Sequence, residues 1–292
     1  VESLQPTPSK TQASPTHQPT PTPTVIAGTI SLWHAWDESE LPALAIIIKS
    51  FQQEYPNVFF DVTYITEQDL LTRFIDETNA GHGPQILLGP ADWSKQLMQT
   101  GLTADLSMFA DDSLLSKLNR AALANSQQDD AISSLPYSLE GVVLYRNKDV
   151  STLDADSMQE LASLAQTTTQ GNIFGAYLER SFFFSAGHLE GLGGRLMDEQ
   201  GQPAFNSAEG LAWIDLLKLF ESAGPTSFQT DEDLTAFKEG KVGWMIDGTW
   251  NLPDLIETLG SEKLAIDPWP TYGPGQMSGF VQSDNVYLSN KL

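Results

Sequence analysis

Residues 237 to 255 read FKEGKVGWMIDGTWNLPDL. The end of a helix gives way to a short apolar strand, Val242 to Ile246, and an Asp-Gly-Thr turn then leads into another helix whose first turn holds Trp250. Helix, strand, turn and helix in that succession are the repeating unit of an α/β fold. Trp250 raises the functional question, because a tryptophan at such a place needs something apolar to cover it, whether from the core or from outside.

Working outward, the same alternation continues on the N-terminal side. ISLWHAW is a compact apolar strand, and after Asp37 a helix is expected with Leu41, Leu44, Ile48 and Phe51 at helical spacing. Tyr55-Pro56-Asn57 stops that helix, and Val58 to Ile65 forms the next strand. A helix from about Gln68 to Thr78, a turn at AGHGP, a buried strand Ile86 to Leu88 and a helix near Asp92 follow. A second αβ series begins after LPYSLEGVVLYRNKD. It comprises a helix near Ser157 to Gln166, a strand Ile173 to Tyr177, a long helix Ala208 to Glu221 with Leu211, Ile214, Leu217 and Phe220 turned inward, and the segment quoted first. The alternation predicts an α/β protein with largely parallel sheets flanked by helices. Pro136 to Tyr145 is extended and apolar, which reads as a crossing between two lobes. The expected division is 25–138 plus 272–292 for the first lobe and 139–271 for the second. The strand Phe280 to Leu288 is expected to return to the first lobe, since its backbone groups need a partner.

Composition narrows the function. The 292 residues carry 15 basic and 38 acidic side chains, a net charge of −23. Such a surface repels phosphate backbones and anionic lipid, so nucleic acid is not an expected partner. There is no cysteine, which excludes disulfides, thiol nucleophiles and thiolate metal sites. His17, His34, His82 and His188 are scattered without metal-ligand spacing, so neither a metal nor a cofactor is expected. No apolar run approaches a membrane span. Residues 1–24 contain six prolines and six threonines. Such a segment cannot bury enough surface to fold, and as extended chain it could reach on the order of 70 Å as a tether.

In an open sheet, ligands sit beyond the carboxyl ends of the strands. Trp36 and Asp37, Asp92 and Trp93, and Asp247 and Trp250 each follow a predicted strand. An aromatic face suits the C–H face of a pyranose, and a carboxylate accepts hydrogen bonds from its hydroxyls. For any one tryptophan a core position is as good a reading; the recurrence favours a ligand. Paired carboxylates also admit a glycoside hydrolase, with Asp92, Glu140 and Asp247 as the acidic candidates. No nucleophile elbow, Ser-His-Asp pattern or phosphate-binding loop is present. GLGGRL at 191–196 reads as a turn.

Taken in order, ISLWHAW, FQQEYPNV, AGHGPQILLGPADW, MQTGLTADLS, LPYSLEGVVLYRNKDV, GLGGRLMDEQGQPAFNS and AFKEGKVGWMIDGTW resemble the extracellular solute-binding proteins of sugar ABC transporters, the group that includes maltose-binding protein. The resemblance implies a two-lobed, periplasmic-binding-protein-like fold of type II, a cleft that closes on ligand, and no catalysis. It implies a first-lobe contribution from Trp36, Asp37, Asp92 and Trp93, a polar contact from Glu140 on the crossing, and Glu179, Phe183 and Trp250 from the second lobe. Delivery of a mono- or oligosaccharide to a transmembrane permease follows, from a cell-surface or periplasmic location. A lipid on a cysteine upstream of Val1 is expected to anchor the tether. The C-terminus falls where the family continues into further helices, so a C-terminally truncated chain is expected, monomeric when complete. A secreted carbohydrate-active enzyme and a polyamine-binding protein are the alternatives.

Overall fold

Three strands of one sheet are joined by right-sized helical crossovers. In the computed structural model, which describes residues 25–128, 130–225 and 231–290, Gly28–His34 pairs in parallel with Val58–Tyr64 on one side and Ile86–Pro90 on the other. The helices Leu41–Glu54 and Glu67–Ala80 connect them. The second helix has Glu67 and Asp69 in its first turn, where they complement the helix dipole, and ends at Gly81 in the left-handed conformation. Trp33, Leu87, Leu70 and Phe74 bury on one face of the sheet, and Leu32, Leu88 and Leu44 on the other. The tether expected at 1–24 lies outside the described residues.

The strand Asp284–Leu288 enters this sheet antiparallel to Ile86–Pro90, with Asp284 opposite Pro90, and Leu135–Pro136 pairs along its far edge. This is the return expected of Phe280 to Leu288. It starts later because Val281–Gln282 first pair with Gly141 and Glu140 on the other crossing.

The second sheet has the order Leu264–Asp267, Glu140–Asn147, Val242–Gly248, Phe174–Tyr177. Every residue of Val242–Gly248 is buried, which is why VGWMI is a continuous apolar run rather than an alternating one. Met158–Thr168 and Ala208–Ala223 cover one face, with Leu161, Leu216 and Phe220 against Leu144, Trp244 and Ile246. Glu232–Lys238 and Leu252–Leu259 cover the other, with Phe237 and Leu255 against Tyr145 and Met245. Among the described residues no helix is long and apolar enough to cross a membrane.

Two expectations need correction. The sheets are mixed rather than largely parallel. Glu140–Asn147 and Asp284–Leu288 each begin where the chain passes between the sheets, so each runs opposite to neighbours that end there. In Ala208–Ala223 the inward face is Gly210, Leu216, Phe220 and Ala223, while Leu211 and Ile214 are exposed. Leu211 and Ile214 share their side of the helix with Asp215, Lys218 and Glu221, which makes it the solvent face. Gly210 seats closely on the buried side, where a Cβ would lie 1.8 Å from the Phe205 carbonyl oxygen.

Two buried groups in the second lobe set opposing responses to acid. His188 is enclosed between Phe220 and Trp269, and its Nδ1–H donates to the Ser278 carbonyl at 2.6 Å. Burial lowers its pKa from 6.5 to about 4, with that hydrogen bond opposing. Its stabilising contribution is complete above pH 6.5 and is lost as pH falls toward 4. Asp233 is raised from 3.8 to about 7, by burial first and then by repulsion from Glu179 and Asp247. Its contribution is complete below pH 3.8 and is lost as pH rises to about 7. The two windows overlap, so these two contributions oppose each other there. The urea midpoint of His188→Gln rises relative to the parent on acidification to pH ~4.5, by up to about 3 kcal/mol in unfolding free energy, and that of Asp233→Asn falls. Parallel profiles for all three proteins would refute this account.

Candidate functional site

The two crossings and the strand ends beside them enclose a cavity of about 400 Å³. From the first lobe it is lined by Ala35 and Trp36 after Gly28–His34, Gly89, Pro90 and Trp93 at Ile86–Pro90, and Glu40 and Glu67 at helix starts. The crossings supply Tyr137, Glu140, Gln282 and Asp284, and the second lobe supplies Phe183 and Trp250. Residues from both sheets therefore meet at one hollow.

Trp250 sits in the short Thr249–Asn251 turn after Val242–Gly248, 38% exposed. Its ring lies over Gly248, where a Cβ would come within 2.1 Å of it. Phe183 and Phe184 pack beside it at 6.0 and 6.4 Å between ring centroids, and Phe183 continues to Phe280 at 5.6 Å. The result is an aromatic wall supported from behind and open to the cavity. Across from it, Trp36 Nε1–H donates to the Tyr137 hydroxyl at 2.8 Å, and the two rings lie 5.5 Å apart. Trp93 is half-buried and held against Gly89, where a Cβ would fall 2.3 Å from its ring.

The polar lining is acidic. Burial raises the Glu140 carboxyl above its ordinary range, and Asp284 and Glu40 add repulsion. Burial likewise raises Asp284, the Ser138 hydroxyl opposes this by donating at 3.3 Å, and Glu40, Glu67 and Asp92 push it further up. The Tyr137 hydroxyl is pushed well above its usual range, by burial first and then by Asp284.

Of the residues expected from sequence, Trp36, Trp93, Glu140, Phe183 and Trp250 come together at this cavity. Asp92 lines an adjoining hollow with Lys95, Asn125 and Phe280. Asp37, Asp247 and Glu179 do not line the cavity. Asp37 is exposed, and its Oδ1 accepts from the Ser39 amide and hydroxyl at 2.7 and 2.6 Å, which lowers its pKa and shapes the turn before Leu41–Glu54. Asp247 is buried, accepting from the Gly248 amide at 2.6 Å and from Asn251 Nδ2 at 3.1 and 3.0 Å, so it braces the turn that carries Trp250. Glu179 is buried and electrostatically coupled to Asp233. Sequence reasoning missed Glu40, Glu67, Tyr137, Gln282 and Asp284. Extending the strand-end rule to the first turn of the next helix would have found Glu40 and Glu67, and Tyr137 lay within the crossing already identified. Nothing local marks Asp284, whose place depends on the second crossing.

Residues 47–292 match the bacterial extracellular solute-binding proteins. The maltotriose-binding protein of Pyrococcus abyssi is 23% identical over 234 residues, which is 77% of this chain and 50% of that protein. The galactooligosaccharide-binding protein of Bacillus subtilis is 24% identical over 189 residues, 59% of this chain and 44% of that one. The chain thus spans about half the length of these curated relatives. Among solved structures, a cyclo/maltodextrin-binding protein complexed with maltotetraose superposes with a TM-score of 0.79 at 20% identity, covering 93% of this chain and 72% of that one. The extracellular solute-binding protein from Staphylococcus aureus in complex with maltose gives a TM-score of 0.78 at 23% identity, covering 90% and 72%. The match over most of its length and the shared two-lobed fold lead to one conclusion: the chain belongs to the bacterial extracellular solute-binding proteins, a family of binders rather than enzymes.

Proposed function

We propose that this protein captures a carbohydrate outside the cytoplasmic membrane and delivers it to the permease of an ABC transporter. The observation that carries the reading is the cavity between the lobes, with Trp36, Tyr137 and Trp93 on one side and Trp250 with Phe183 on the other. Aromatic side chains from both lobes bordering a hollow of about 400 Å³ suit a short saccharide held by stacking, with carboxylates orienting its hydroxyls. The relatives named above are binders of maltotriose and of galactooligosaccharide, which agrees with this ligand class. We place closure about the crossings at Tyr137–Glu140 and Gln282–Asp284, which puts residues 25–136 and 285–290 in the first lobe and 141–281 in the second, so that the return begins about ten residues later than the 272 expected from sequence, Met277 packing in the second-lobe core. Residues 1–24 serve as a tether to a lipid anchor, and the ligand dissociates unchanged.

Calorimetry against a panel of maltodextrins, galactooligosaccharides and amino sugars, with spermidine alongside, tests the reading. At least one saccharide binds with micromolar or tighter affinity; a panel without saccharide binding refutes the proposal. Gly248→Ala gives a second check. Its new methyl group cannot coexist with the present Trp250 ring position, so affinity for the best saccharide drops about ten-fold while the far-UV spectrum is retained. An unaltered affinity would show that the Trp250 position does not matter to the ligand.

A further inference from the structure

Four carboxylates line the cavity, Glu40, Glu67, Glu140 and Asp284, and no lysine or arginine does. They come from four separate places in the chain: two helix starts and the two crossings. Among the described residues none of the four belongs to an ion pair. Their hydrogen bonds are few: Glu40 accepts from the Asp37 amide at 2.9 Å and Asp284 from the Ser138 hydroxyl at 3.3 Å. Lys95 lies in the adjoining hollow, where Asp92 accompanies it.

This arrangement is costly for a neutral ligand. Closure of the cleft strips water from carboxylates that already repel one another, and sugar hydroxyls return hydrogen bonds without any compensating charge. A cation offsets both losses. Among the described residues no three His, Asp or Glu side chains are placed to share a metal ion, so the negative charge is spread along the walls rather than focused on a point. The walls between the carboxylates are Trp36, Trp93, Tyr137 and Trp250, which attract a cation through their faces and also stack on ring C–H groups. A linear polyamine would use the charge but presents no ring to stack. An amino-pyranose uses both.

Resting on the carbohydrate reading, we infer that the preferred solute is a saccharide bearing a protonated amine, of the glucosamine type, rather than a neutral sugar. The test is calorimetry of the full chain below neutral pH with the glucosamine trimer, the N-acetylglucosamine trimer and maltotriose. The glucosamine trimer binds about ten-fold or more tightly than either neutral trimer, and its affinity alone falls steeply as salt is raised. Glu140→Gln and Asp284→Asn, each near in shape to the parent residue, narrow that gap several-fold by weakening the glucosamine trimer more than maltotriose. Neutral trimers that bind as tightly as the amine overturn the inference and leave the carbohydrate reading standing. Spermidine binding more tightly than every saccharide overturns the inference. Absence of any saccharide binding overturns both. A gap unchanged in both folded variants overturns the assignment to these carboxylates.

Discussion

Asp267→Ala lowers the unfolding free energy of the second lobe by about 3–5 kcal/mol, measured by urea titration. Asp267 closes the edge strand Leu264–Asp267 onto Glu140–Asn147. Its carboxylate accepts from Arg146 Nε at 2.6 Å, from Arg146 Nη2 at 3.0 Å and from Trp244 Nε1 at 3.1 Å. The two charged side chains are 11% and 7% exposed, so water cannot replace a missing partner. Removing the acid leaves a guanidinium whose other hydrogen bond among the described residues, from Nη1 to the Ser151 carbonyl at 3.1 Å, does not balance its charge. It also orphans the Trp244 indole N–H in the middle of the core. Exchanging both partners for apolar residues, as in Arg146→Met with Asp267→Leu, costs much less, because no buried charge is left behind. A loss for Asp267→Ala under about 1 kcal/mol, the range of exposed pairs, would show that the site is wetter than its geometry indicates.

Trp250→Ala weakens binding of the best saccharide by about 1–3 kcal/mol, roughly five- to 150-fold in Kd, without unfolding the lobe. The turn is braced by Asp247 and Asn251, not by the indole, and Phe183 and Phe184 keep their own contacts. What is lost is the supported face on which a ring can stack. Calorimetry on the folded variant decides the matter: an unchanged Kd would assign Trp250 to the second-lobe core.

Much of this was legible in one dimension. The strand–turn–helix at 237–255, the crossing at Pro136 to Tyr145 and the tryptophans after strand ends all follow from local pattern, and Trp36, Trp93, Glu140 and Trp250 sit in such patterns, whereas Phe183 came only from the family resemblance. Trp36, Trp93 and Trp250 reach the cavity because neighbouring strands that run the same way deliver the residues after them to the same edge. Asp37 and Asp247, which follow strands equally well, do not line it. Their short side chains find donors within four residues, the Ser39 amide and hydroxyl for one and the Gly248 amide with Asn251 for the other.

The sequence by itself therefore determined the alternation of elements, the two-lobed class and the aromatic character of the cleft, since these depend on periodicity and neighbours close in the chain. Only the tertiary structure decided which carboxylates face the cavity and how the strands run. Those outcomes depend on contacts between distant segments: Trp36 meets Tyr137 across 101 positions, and Ser138 meets Asp284 across 146. A carboxylate braces a turn or lines the cavity according to the donors within about 3 Å of it, and for Glu140 and Asp284 that surrounding exists only once both crossings are in place.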